Sequence, residues 1–357
     1  MIELDVLAAR FRSFASTSTS RAPLYRQLSE RIAGDSDVLA VLRAAPAEQA
    51  LPVLLFASVH DLLLARGPAH DELSEWYATM SSTPRTDDAY PAFQRFVKRN
   101  EPDLRRLVAV RHTQTNEVGR SALLLPALGS IERETGAPLS LVEVGASAGL
   151  NLLIDRYEYF YPPGDRVGGP SPVALECATR GAVPVPETMP VIAAAVGLDS
   201  HVVDLSDAED VRWLTACVWP DQIDRYRRLV AALELARDAS PVVHRGDAVD
   251  DLEAVVHTAR AAGHPVVVTS WVMSYLTAER QQGFVDLLDA LARDDDISWV
   301  SLESPLSTPG LPIPARHPGE DLTVLAVTRW RQGRRSVNRL ATCHPHGYWM
   351  HWESSDD

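Results

Sequence analysis

Glu143, Gly145, Ser147 and Gly149 occupy alternate positions within LSLVEVGASAGLNLLIDRYEYFY, residues 139–161. They place an acid, two conformationally free residues and a hydroxyl inside one short turn. Leu141, Val142 and Val144 predict a buried strand ahead of that turn, and Leu150, Leu153, Ile154 and Tyr157 predict a helix behind it. A strand that bends tightly into a helix offers backbone N–H groups and the positive helix end to a ligand, so chemistry is expected here first.

The spelling of the bend separates three kinds of site. A dinucleotide-binding G-x-G-x-x-G needs glycine at 147 and 150, where Ser147 and Leu150 stand. G-x-S-x-G is also the nucleophile elbow of α/β-hydrolases, which would make Ser147 the nucleophile. Glu143, Val144, Gly145, Ala146, Ser147, Ala148, Gly149 resembles the first motif of S-adenosylmethionine (SAM)-dependent methyltransferases, with serine replacing the middle of three glycines. That resemblance implies that this segment binds the cofactor SAM.

Further candidate groups lie where later apolar runs end. His201–Leu205 predicts a second strand, whose acid Asp204 is placed to accept two ribose hydroxyls; Asp199 and Glu176 are its rivals. Pro241–Asp247 predicts a third strand, and the methyltransferase resemblance implies that Asp247 and Ala248 lie near the adenine. Pro265–Ser270 predicts a fourth, with Ser270, Trp271 and Tyr275 at the edge where open α/β sheets place substrates. Ile297–Glu303 predicts a fifth, ending in a carboxylate. Two late strands joined at Gly333 without a crossover imply an antiparallel hairpin.

Upstream, RHTQTNEVGR (111–120) precedes an apolar helix. It reads either as a helix start capped by Thr115 or as a mouth where Gln114, Asn116, Glu117 and Arg120 meet a ligand's charged ends. Tyr157, Tyr159, Phe160 and Tyr161 either cover the sheet or shape a pocket. If methyl transfer uses a base, Glu303 and His344 are the candidates, with Tyr275 beside them. His344-Pro345-His346 reads equally as a structural turn, and two histidines at i and i+2 complete no metal site. A hydrolase would take Ser147, then Glu303 or Asp321, then His344 or His346, but residues 1–138 supply neither the earlier strands nor the oxyanion loop that an elbow follows.

These groups require a mostly parallel α/β sheet to position them. The expected fold is Rossmann-like, similar to class I methyltransferases, with a C-terminal antiparallel hairpin and an all-helical N-terminal domain. The expected boundaries are a helical cap over 1–110 and a SAM-binding domain over 111–357, the cap and the 304–320 loop closing over the site. His60, on the apolar helix VLLFASVHDLLLA, reads as a hydrogen-bonded core histidine ahead of a cavity residue. The 357 residues carry a net charge of -14, which disfavours nucleic acid and favours a small-molecule substrate. Three dispersed cysteines, no signal-like N-terminus and no long apolar run lead to the expectation of a cytoplasmic protein that neither spans nor enters a membrane.

Five motifs together are similar to a bacterial family, domain of unknown function 2332. They are QTNE-x-GR (Gln114–Arg120), E-x-G-A-S-A-G-L-N-L (Glu143–Leu152), RWL-x-A-x-VWP (Arg212–Pro220), W-x-S-x-E (Trp299–Glu303) and HPHG-x-W (His344–Trp349). The resemblance spans most of residues 50–352. It implies one conserved unit, while the chemistry rests on the methyltransferase-like layout.

Overall fold

A computed structural model describes residues 2–17, 21–311 and 323–353. The chain divides into two compact units, 1–115 with 204–230 and 116–203 with 231–357. The first is helical, built on Leu4–Thr17, Pro23–Ile32, Pro52–Arg66, Tyr90–Arg99, Glu101–Val110 and Ala208–Ala216. Prolines in the first turns of four of these helices cost no hydrogen bond and preset the backbone angle. Aromatic side chains fill its core: Tyr25 stacks on Phe56 at 4.1 Å, and Phe11 and Phe93 meet the same ring edge-on. Phe56→Ala is expected to cost about 3–5 kcal/mol, read as a lowered denaturant midpoint by circular dichroism.

His60 belongs to this core. Its ring nitrogens lie 3.0 Å from the Ala216 carbonyl and 2.9 Å from Thr79 Oγ1, and burial pushes it down to about 4. Residues 204–230, read in the sequence as part of the second domain, are packed with this unit. Arg212 pairs with buried Asp61 at 2.9 Å, and the Trp213 indole donates to the His112 carbonyl.

Among the described residues, the second unit holds all the strands. They are β1 (Leu139–Val144), β2 (Glu158–Tyr161), β3 (Asp165–Val167), β4 (Ala174–Glu176), β5 (Ala178–Arg180), β6 (Ile192–Asp199), β7 (Val242–Arg245), β8 (His264–Ser270), β9 (Ile297–Glu303), β10 (Thr323–Arg331), β11 (Arg334–Cys343) and β12 (Trp349–Trp352). Nine form one mostly parallel sheet in the order β5-β12-β11-β10-β9-β8-β1-β6-β7, and β3-β2-β4 form a small second sheet. From β1 the chain steps outward through β6 to β7, then returns to β1's other flank at β8. The strand order therefore reverses between β1 and β8, where open sheets leave a crevice at the C-terminal strand ends.

β1, β8 and β9 are buried almost throughout, as unbroken apolar runs predict. Helix Leu252–Arg260 packs on β1, β6 and β8, and helix Ser121–Thr135 on β9 and β10. The expected hairpin is present. β10 and β11 pair antiparallel about Gln332 and Gly333, both left-handed, as a two-residue hairpin turn requires.

Two expectations need correction. The second strand is Ile192–Asp199, not His201–Leu205. Its IAAAVGLD has small, weakly strand-forming residues, whereas HVVDL, despite its valines, is irregular chain after the strand. The segment behind the bend is not an α-helix but a 3₁₀ segment, Leu150–Arg156, kinked at Leu153 and followed at once by β2. Tyr157, Tyr159 and Tyr161 draw the chain into that extended form by burying their rings and donating their hydroxyls to Leu150, Ile154 and Ala122 carbonyls.

Candidate functional site

The bend after β1 is left-handed at Gly145 (φ 75°), Ser147 (φ 54°) and Gly149 (φ 71°). A Cβ on Gly145 would lie 2.3 Å from Val272 Cγ2, and one on Gly149 2.9 Å from Val243 Cγ2. Both glycines thus make room for protein side chains. Ser147, the non-glycine in this strained region, is tied at both ends: its amide donates to Asp199 Oδ2 at 2.7 Å and its carbonyl accepts from the Val203 amide.

The amides themselves are largely spent. Gly145 N donates to the Leu198 carbonyl, Gly149 N to that of Ala146, and Leu150 N to Asn116 Oδ1. This corrects the expectation of free N–H groups aimed at a ligand, and with only a short 3₁₀ segment behind it the bend lacks an α-helix terminus. Anion binding loses both of its supports.

Acids remain. Glu143 near the end of β1, Asp199 ending β6 and Asp247 just beyond β7 stand on three adjacent strands. Asp199, a rival in the sequence, takes the place expected of Asp204. Asp204 is exposed in the first unit and accepts from the amide and hydroxyl of Ser206. Glu176 lies on β4 of the small sheet. Glu143 is 3% exposed; its Oε1 accepts from Asn151 Nδ2 at 2.9 Å, and its Oε2 is buried with no hydrogen-bond partner. Burial, with Asp199 nearby, pushes its carboxyl up to about 8 despite Asn151 and Arg120. Asp247 accepts from the Val249 and Asp250 amides and pairs with Arg280, and Ala248 follows it, partly buried.

Arg120, 7% exposed, joins the two motifs at the ends of this unit. Its Nε donates to the Pro345 carbonyl at 2.9 Å, and its Nη1 to the Ser270 carbonyl and hydroxyl at the end of β8. The neighbouring Glu117 accepts from the Gly119 amide with Oε1, while Oε2 lies 3.3 Å from His346 Nδ1. Gly347 lies so close to Gly119 that a Cβ would fall 2.0 Å from its carbonyl oxygen. The 117–120 turn and the 344–347 loop are therefore docked backbone to backbone. His344 Nδ1 accepts from the His346 amide at 3.1 Å, with its ring beside Tyr348 and Trp349.

Glu303 is fully buried. Its oxygens accept from the Val272 and Met273 amides at 3.0 and 3.3 Å, and burial raises it to about 7 against those bonds. It anchors the turn through Trp271 (φ 58°), whose indole donates to Thr323, and so holds Val272 over Gly145. This occupies the carboxylate expected to act as a base. Tyr275 is 82% exposed, and Gln114 lies in the first unit with its backbone against the Cys217 thiol. Tyr157 is 1% exposed and buttresses the 3₁₀ segment, so its ring is core packing and not the wall of a pocket. Ser270, Asn116, Glu117 and Arg120 come together in the second unit. Asp321 lies outside the described residues. Asn151 is the addition; it sits in a motif already singled out, but its partners Glu143 and Ser121 are set by the fold.

The architecture defines an α/β protein with carboxylates at neighbouring strand ends beside the order reversal of its sheet. The chain belongs to the family described as an uncharacterized protein conserved in bacteria (DUF2332), whose model matches residues 8–352. No curated protein and no solved structure matches it. Among the described residues no helix is long and apolar enough to cross a membrane, and no group of three His, Cys, Asp or Glu side chains is placed to hold a metal ion.

Proposed function

We propose that this chain binds SAM at the bend after β1 and catalyses transfer of its methyl group to a small molecule. The observation that carries the reading is the pairing of spent amides with acids at three adjacent strand ends. Such a site suits a ligand rich in O–H and N–H donors and bearing an ammonium group, and it repels phosphate. An adenosyl amino acid has that character; a dinucleotide does not. The order β7-β6-β1-β8-β9 is also the 3-2-1-4-5 order of the Rossmann-like sheet that the sequence suggests.

The donor set fits the cofactor. Asp199 uses two acceptor positions on Ser147 and His201 and keeps others for ribose hydroxyls, because an ionised carboxylate offers about four. Glu143 Oε2, buried and unpartnered, lacks the donor that the cofactor's ammonium would provide. Asp247 and Ala248 stand toward the adenine end, and Ser270 and Trp271 toward the acceptor. Bound SAM supplies an electrophilic methyl on a positively charged sulfur. The residues' share is alignment and exclusion of water, which supply most of the acceleration of an in-line transfer.

A serine hydrolase fits less well. The bend follows the first strand of the sheet, whereas a nucleophile elbow follows several. Asp199→Asn should weaken SAM binding at least tenfold in a tryptophan-fluorescence titration; unchanged affinity would count against the ribose assignment.

A further inference from the structure

Glu143 is buried with half of its hydrogen-bonding capacity unused. Asn151 Nδ2 donates to its Oε1, and among the described residues its Oε2 has no hydrogen-bond partner. Asn151 is itself fixed, because its Oδ1 accepts from the buried Ser121 hydroxyl at 2.9 Å. A carboxylate that ionises away from water needs several donors or a paired cation. With a single amide donor the neutral acid is the favoured form, in line with its carboxyl being held up to about 8 by burial, with Asp199 nearby. The charged and titratable groups that face it are Asp199 from the end of β6, Arg120 from the 118–120 turn and Tyr157 from the start of β2. Its register partners Gly197 on β6 and Val268 on β8 carry no charge, and helix Leu252–Arg260 packs with Val142 and Val144, whose side chains lie on the other face of β1.

We propose that Glu143 selects nucleosides that carry an amino acid, and that it does so by exchanging its proton for the ligand's ammonium group. The inference rests on the SAM reading above. In the free chain Glu143 holds its proton. An ammonium at Oε2 supplies both the missing donor and the compensating charge, so the carboxyl ionises and the proton leaves to solvent. One cation enters as one proton departs, and the charge buried at the bend does not change. Affinity for such a ligand must then rise with pH for as long as the free chain is protonated and the complex is not. An adenosyl thioether without the amino acid brings no ammonium and leaves the proton in place. Discrimination between the two ligands is therefore itself set by pH, strong at neutral pH and weak in acid.

The test counts protons and needs no turnover. Calorimetry of the full chain with S-adenosylhomocysteine at pH 6.5, in phosphate and in imidazole, reads the release directly, because the two buffers differ in ionisation heat. The ligand's own amine is still charged at that pH. About one proton per site should be released, and the Kd should tighten by about tenfold from pH 6 to pH 7. Methylthioadenosine, which has the adenine, ribose and thioether but no amino acid, should release none and bind equally at both. Glu143→Gln should release none with either ligand, bind methylthioadenosine like the wild type, and bind S-adenosylhomocysteine more weakly at pH 7 with no dependence on pH. The wild-type counts with the two ligands decide the matter whether or not the variant folds. No proton released on S-adenosylhomocysteine binding, equal release with methylthioadenosine, or release retained in Glu143→Gln would each overturn this assignment and leave cofactor binding standing. Failure of the wild type to bind S-adenosylhomocysteine anywhere between pH 6 and pH 8 would instead sink the cofactor reading, and this assignment with it.

Discussion

Gly347→Ala is expected to destabilise the chain by about 3 kcal/mol or more, although it deletes no side-chain contact. A left-handed backbone at this position (φ 79°) costs an L-residue roughly 1–2 kcal/mol. The new methyl would also fall 2.0 Å from the Gly119 oxygen, a backbone atom that cannot swing aside. The loop has to lift. Arg120, buried and bonded to the Pro345 carbonyl, would then lose an acceptor, at a further cost of about 1–3 kcal/mol. Gly164→Ala is the control, since a Cβ there meets nothing within 4 Å, and its effect should stay within about 0.5 kcal/mol. Guanidinium titrations of both variants decide the matter; equal midpoints would mean that the two turns are not docked as described.

Glu143→Gln should give the second large effect, and its sign should depend on pH. Glu143 is held up to about 8 and Glu303 up to about 7, against an ordinary 4.5. The folded chain therefore protonates them more readily than the unfolded chain does, so their contribution favours folding below pH 4.5 and is lost as pH rises through 7 and 8. His60, pushed down to about 4, acts oppositely: its contribution is complete above pH 6.5 and is lost as pH falls toward 4. Between pH 6.5 and 8 the two buried acids dominate among these three groups, and they make stability fall with pH.

Neutralising Glu143 removes a burden whose ceiling is about 5 kcal/mol, at about 1.4 kcal/mol for each pH unit by which the carboxyl is displaced. The glutamine keeps an acceptor for Asn151 but buries an unpaired amide, which takes back about 1–3 kcal/mol. The variant should therefore be slightly less stable than the wild type at pH 5 and about 2 kcal/mol more stable at pH 8.5, with weakened SAM binding at both. Calorimetric Tm against pH would show the crossing. A Glu143→Gln protein that is less stable at every pH would mean that the carboxylate is stabilised in place and is no strained ligand group.

The fold was legible where burial is two-sided. β1, β8 and β9 announce themselves as unbroken apolar runs, and the hairpin by Gly333 with no helix between its strands. β6 was hidden because alanines and a glycine make its strand: Gly197 is small because a Cβ there would strike Ala146. That displaced the second-strand acid from Asp199 to Asp204. The bend's glycines are legible in the sequence, but the reason for them is not. They admit Val272 and Val243 from chain far downstream, which no local pattern encodes. Glu117 and His346 stood within recognised motifs, yet only the docking of two distant turns makes them a pair. Local spacing carries strands and turns, whereas tertiary contact decides which polar groups remain available.

The central claim is that this bend takes an adenosyl amino acid and refuses a phosphate. Parallel calorimetric titrations of the full chain with SAM, S-adenosylhomocysteine and NAD test it most directly. Saturable heat with the first two, absent in Gly145→Trp, and none with NAD is the expected result. Heat from NAD, with neither sulfur nucleotide bound, would contradict it.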